Sequence, residues 1–252
     1  MDREILKDNK ELSYARMQYN LGMDYLTGND VEKNYKKAVE CFTKSAEKGF
    51  PMALNQLGKC YYKGLGIERN EQKAVECFIK ATEQGNLDAY ENLGKHYYCM
   101  AINNKDAKKQ EQYYEKSLEY FLHVKQPSTS NIKNIIQCYK KIINLYEKEN
   151  IKVEEILTNA FKFDSPEILL NVGEYFEYGY KVTINLKRAL EFYKKATEYS
   201  KGINEAYYTM LYFCLKYKDE IENSDVVIQK YVNEIYEERK SDIFLRMPEE
   251  NI

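Results

Sequence analysis

Glycine recurs in one slot of a helical pattern at a spacing of 36 residues, and that period constrains the fold more than any other property of the chain. From Ala53 the pattern runs through Leu57-Gly58, Tyr61, Gly64-Leu65-Gly66-Ile67, Asn70, Ala74 and Phe78 to Ala81 and Gly85. Shifted back by 36 residues it falls on Leu21-Gly22, Tyr25, Gly28, Val31, Asn34, Ala38, Phe42 and Gly49. Shifted forward by 36 it gives Ala89, Leu93-Gly94 and Tyr97, and by 115 it gives Val172-Gly173, Phe176, Gly179, Val182, Asn185, Ala189, Tyr193 and Ala196. A fixed period of this length marks stacked units, each too small to bury its apolar face alone.

The residue types define the unit as a helix pair. Leu57 and Tyr61 share one helical face, and Ala74, Phe78 and Ala81 share a face of the next helix. Glycine inside a helix costs about 1 kcal/mol relative to alanine, so Gly22, Gly58, Gly94 and Gly173 require a compensating close contact. The slots expected to face them are small: Ala38, Ala74, Ser117 and Ala189. Gly28, Gly64 and Gly179 close the first helix and Gly49 and Gly85 the second, in the left-handed conformation that ends many helices. Asn34, Asn70 and Asn185 stand where the second helix needs an N-cap. Val31, Ile67 and Val182 tuck the intervening loop onto the core.

The L-G-x-x-Y and A-x-x-x-F elements resemble the tetratricopeptide signature, whose period is 34. The G-x-G-I-x-x-N insert and the closing Lys80-Ala81-Thr82-Glu83-Gln84-Gly85 are similar to the Sel-one-like repeat family. Where that family has an aspartate before the second helix this chain has asparagine, and for its tryptophan it has Cys41, Cys77 or Phe192. The resemblance implies an all-α, right-handed α/α superhelical solenoid of five to six helix pairs, read as a single domain over residues 1–252. Regular repeats are assigned to 17–52, 53–88 and 167–204, irregular ones to 89–126 and 130–164, and a terminal pair with its cap to 206–246.

Along the chain, the first helix is expected from about Lys10 to Thr27 behind a polar start at Asp2 to Asp8. The third repeat has Met100 in place of a closing glycine, so its helices, about Asp88–Ile102 and Gln110–Val124, leave Asn103–Lys109 as a longer connection or a helical extension. Pro127 breaks the chain. An apolar stripe from Ile132 to Tyr146 and a shorter helix at about Val153–Phe163 make a fourth pair whose register no glycine fixes. Ser165-Pro166 opens the fifth repeat as cap and first helical residue, and that repeat is two residues longer near Ser200-Lys201-Gly202. A capping helix spans about Ser224–Phe244, and Met247–Ile252 is read as frayed. The charged runs Tyr146–Asn150 and Tyr236–Lys240 read as solvated helix faces.

A net charge of -2 from 38 basic and 40 acidic residues offers no footprint for nucleic acid or an anionic membrane. The first ten residues lack the apolar run of a secretory signal, so a cytoplasmic location is expected, with the six cysteines as reduced core thiols; the alternative is the disulfides that some secreted members of the resembling family carry in each repeat. Cys41 and Cys77 are assigned the same buried slot of successive copies. No glycine follows a strand to cradle phosphate, and no cofactor or metal is expected. The chain holds two histidines, and His96 with Cys99 three residues on is the one pair that suggests a thiol enzyme. A core thiol beside a surface imidazole is the simpler reading, and the chain is read as non-catalytic.

What remains is surface. Two residues before each repeat glycine stand Asn20, Gln56, Asn92 and Asn171, a row of amides able both to donate to and accept from a peptide backbone. Tyr19, Tyr62, Tyr98 and Tyr178 lie beside them, among 25 tyrosines and no tryptophan. Tyrosine combines large contact area with a polar tip. In tetratricopeptide-like solenoids the groove lined by first helices is the usual ligand site, and by that resemblance these eight residues are the expected seat of a partner protein or peptide. The function expected is therefore an interaction scaffold or adaptor. The alternative is an inhibitor or immunity-type protein that blocks one enzyme through the irregular third and fourth repeats.

Overall fold

The structure, a computed structural model, describes residues 2–145, 151–200 and 205–245. Among them every regular element is helical: α1 (Asp2–Thr27), α2 (Tyr35–Glu47), α3 (Pro51–Lys63), α4 (Glu71–Glu83), α5 (Leu87–Asn103), α6 (Ala107–Phe121), α7 (Thr129–Leu145), α8 (Ile151–Thr158), α9 (Pro166–Tyr178), α10 (Leu186–Tyr199), α11 (Glu205–Lys216) and α12 (Ser224–Leu245). A 3-10 turn, Asn159–Lys162, follows α8. The chain divides into two compact units, residues 1–97 and 98–252.

In the first unit α1 packs on α2 and α3 on α4, with α2 against α3. The capping is as read from sequence. Asn34 and Asn70 accept from the backbone N–H of Lys37 and Lys73 at 3.1 and 2.9 Å, and Gly28 and Gly64 have φ of 81° and 69°. Gly22 and Gly58 serve a contact different from the one expected. A Cβ on Gly22 would lie 2.7 Å from the Phe42 ring and one on Gly58 2.6 Å from the Phe78 ring. It is the aromatic side chain of the second helix, four residues beyond the small one, that seats in the glycine notch. Phe42, Ala38, Val39, Leu57 and Cys60 form one apolar cluster of this unit and Ala15, Phe50 and Ala53 a smaller one, while Ala74, Phe78, Ala81, Ala89 and Leu93 are buried as well.

In the second unit α6 packs on α7, α9 on α10 and α11 on α12, with α10 against α11. One apolar core runs through all of it, from Ala101 and Tyr114 to Met210, Phe213 and Tyr231. The fifth repeat repeats the logic of the first two: Asn185 accepts from Arg188 N–H at 3.0 Å, and a Cβ on Gly173 would lie 2.4 Å from the Tyr193 ring. The Tyr193 hydroxyl donates to Glu177 Oε2 at 2.7 Å, and Lys216 Nζ donates to Oε1 at 2.8 Å. Glu177, 5% exposed, thereby ties α9 to α10 and α11 with a satisfied charge.

Several boundaries move. Helix α1 begins at Asp2 without a separate polar start. The Asn103–Lys109 segment is consumed from both sides, leaving 104–106 as the connection, with Asp106 capping Lys109 N–H at 3.0 Å. Ser165 occupies the N-cap position but its hydroxyl bonds Glu167 Oε2 at 2.9 Å in place of the backbone. Cys77 is half-exposed where Cys41 is buried, while Cys60, Cys138 and Cys214 are buried and Cys99 half-buried. The expectations for Tyr146–Asn150, Met247–Ile252, the loop beyond Ser200 and the side chains of 238–240 fall outside the described residues. Among the described residues no helix is long and apolar enough to cross a membrane.

Candidate functional site

The four amides of the predicted row sit in different environments. Asn20 is exposed and, with half-buried Tyr19, lines a cleft of about 490 Å³ between α1 and the start of α3. Tyr19 is also core, its ring 5.3 Å from Phe50 and 6.0 Å from Phe42. Gln56 is half-buried outside that cleft. Asn92 is committed to structure: its Nδ2 donates to Oδ1 of Asn55 at 2.8 Å, and Asn55 is 2% exposed. Sequence reading missed Asn55 because it occupies a slot that no other copy fills with an amide.

Asn171 is the exception. Its Oδ1 is buried with no hydrogen-bond partner. A buried acceptor is ordinarily bonded. It lines a cleft of about 550 Å³ between α7 and α9, with Lys140 and Ile143 from α7 and Glu174, Tyr175 and Tyr180 from α9 and its following loop. Asn171, Glu174 and Tyr175 share a face because they lie three and four residues apart. Gly179, at φ 68°, turns the chain so that Tyr180 closes the end of the cleft edge-on to Tyr175, centroids 5.8 Å apart. Burial pushes the Tyr175 phenol up to about 12, helped by Glu174, so it remains a neutral O–H donor. Burial also raises the Glu174 carboxyl, Glu177 and Glu205 add to the rise, and Lys140 opposes it.

The predicted tyrosines divide likewise. Tyr62 is half-buried, edge-on to His96 at 6.3 Å. Tyr98 is half-buried against Tyr114 at 6.1 Å. Tyr178 is 45% exposed, 5.7 Å from the Tyr180 ring and beneath the Lys216 ammonium at 4.6 Å. Thus Asn171 enters the α7–α9 cleft, Tyr178 borders its Tyr180 wall, and Asn20 and Tyr19 share a cleft of their own. His96 packs between aromatic rings, and its pKa is lowered by burial against the pull of Glu71. The thiols of Cys60 and Cys138 are pushed up by burial to about 11 and about 12, so neither is a thiolate at neutral pH.

Helix pairs with asparagine-capped second helices and aromatic rings seated on glycine define an α/α helical-repeat protein. Residues 15–50, 51–86 and 166–198 match the Sel1 repeat, the family that the three regular copies resemble in sequence. Among solved structures, a Sel1 repeat protein from Oxalobacter formigenes is 22% identical over 89% of this chain and 88% of its own, with a TM-score of 0.47. The protective antigen c5321 of uropathogenic Escherichia coli strains, which displays an SLR fold, is 18% identical over 94% of this chain and 65% of its own, TM-score 0.36. The immunity protein Pa5087 from Pseudomonas aeruginosa is 16% identical over 88% of this chain and 81% of its own, TM-score 0.34. No curated protein matches the sequence.

Proposed function

We propose that the chain is a non-catalytic interaction module that seats an extended segment of a partner protein on its first-helix faces, with the α7–α9 cleft as the principal seat. Sel1 repeats generally mediate protein–protein interaction. The observation that carries the reading is Asn171 Oδ1, a buried acceptor without a donor in an open cleft. A peptide group meets it well: its N–H donates to Asn171 while its carbonyl accepts from Lys140 or from the Tyr175 hydroxyl. Lining groups of both signs, Lys140 and Lys181 against Glu174, favour a neutral dipolar group over a full charge. Tyr178 and Tyr180 offer aromatic area beside it for a side chain of the bound segment.

The test is a pull-down from the native cell with wild type and with Asn171→Ala and Asn20→Ala, read by mass spectrometry. A protein retained by wild type and lost with Asn171→Ala supports the reading, and identical retention by both opposes it. Whether that partner is an enzyme silenced on binding or one component joined to another follows from assaying it in the complex. The α7 wall belongs to the irregular fourth repeat and the α9 wall to a regular one, so both routes use this cleft.

A further inference from the structure

A second cleft in the 98–252 unit, between α6 and α8, has a different chemistry. It holds about 300 Å³ and is floored by Leu118, Leu122 and Ile156. Glu111, Glu115 and Glu119 recur every fourth residue down one face of α6, and Glu155 on α8 lines the cleft with Glu115 and Glu119. One cation already lies among them: Lys152 of α8 pairs with Glu111 at 3.2 Å and Glu115 at 2.5 Å. Among the described residues neither Glu119 nor Glu155 forms an ion pair.

An acidic cluster alone is an ordinary solvated surface. The second observation is Tyr139, which is 1% exposed and whose hydroxyl has no hydrogen-bond partner. It is the one residue of α7 in the lining of the cleft. The cleft therefore combines two carboxylates outside any ion pair, Glu119 and Glu155, an apolar floor and a buried tyrosine whose hydroxyl has no partner. Among the described residues no three carboxylate, thiol or imidazole groups converge closely enough to hold a metal ion. The cation that fits is extended and organic.

We propose that this cleft binds an aliphatic cation carrying several N–H donors, the chemistry shared by a free polyamine and by a lysine or arginine side chain of a partner. Its nitrogens pair with Glu119 and Glu155 and donate to the Tyr139 oxygen, and its methylene stem lies on Leu118, Leu122 and Ile156. Lys152 is the resident competitor.

The full chain is titrated separately with spermidine and with N-acetyl-arginine amide at about 0.15 M salt, where exposed charges are screened within about 8 Å. Amide NMR shifts and calorimetry report the binding. Saturable one-to-one binding of at least one probe is expected, with shifts centred on 115–122 and 152–159. Glu119→Gln with Glu155→Gln should weaken it about five-fold, the usual worth of two solvent-reaching ion pairs. Tyr139→Phe should weaken it further, and Lys152→Met should strengthen it. Binding of spermidine alone assigns a free polyamine, and binding of the arginine derivative alone a partner's side chain. The double glutamine variant changes only groups that reach solvent, so it stays informative if Tyr139→Phe fails to fold. Failure of both probes to saturate, or equal affinity in the double glutamine variant, overturns the proposal.

Discussion

Replacing Asn92 by alanine should destabilise the chain although Asn92 itself is only half-buried. The cost falls on its neighbour. Asn55 is 2% exposed, and its Oδ1 is bonded to Asn92 Nδ2 at 2.8 Å across 37 residues of sequence. Without that donor the Asn55 oxygen stays desolvated and unpaired, a penalty of about 1–3 kcal/mol. The reverse change is milder at the bond, because a half-buried Asn92 freed by Asn55→Ala can turn toward water, and Asn55→Ala then costs mainly the volume it vacates. Urea denaturation of wild type, both single variants and the double variant gives the coupling directly. Once Asn55→Ala is present, Asn92→Ala should add almost nothing, a coupling of about 1–2 kcal/mol. Simply additive costs, or an Asn92→Ala variant within about 0.5 kcal/mol of wild type, would refute the reasoning. Asn92 would then be returned to the partner surface where its repeat position placed it.

Gly58→Ala gains about 1 kcal/mol of helix propensity, yet its Cβ would lie 2.6 Å from the buried Phe78 ring, an overlap worth about 1–3 kcal/mol. A net loss measured by denaturation, recovered when Phe78→Leu is added, checks the notch. Burial lowers the His96 pKa below the ordinary imidazole value of about 6.5. The unfolded chain then binds the proton more readily than the folded one, so this contribution is intact above about pH 6.5 and is lost as the pH falls through the folded pKa. His96→Gln should flatten the stability profile over that acid range, and an unchanged slope would show that His96 is not its source. Asn70→Ala removes the cap on Lys73 N–H and should cost about 1 kcal/mol, with Asn34→Ala and Asn185→Ala alike.

The repeat was legible because each landmark admits few residue types. A left-handed helix end favours glycine, an N-cap favours asparagine, and a helical glycine announces a close approach. What approaches was misassigned: the small residues Ala38 and Ala74 are buried, but the rings of Phe42 and Phe78 meet the glycines, since a ring reaches farther across a helix pair than its neighbours in the stripe. The site was less legible. The row of amides shares a sequence slot, but whether each is free depends on what stands opposite it, and that differs between a regular and an irregular neighbour. Asn92 meets Asn55, whereas Asn171 faces α7, whose register no glycine declares. Tyr139 and Lys140, adjacent in sequence, line two separate clefts because successive residues of a helix point about 100° apart.

The most direct measurement of the account pairs stability with affinity in one variant. Asn171→Ala removes a buried oxygen that has no partner in the free chain, so unfolding should show unchanged or greater stability. The same change deletes the acceptor offered to the partner's backbone, and affinity for the captured partner should fall about three- to ten-fold, one neutral hydrogen bond's worth. A structural asparagine would give the opposite signature. Lower stability with undiminished affinity would contradict the assignment of the α7–α9 cleft as the partner's seat.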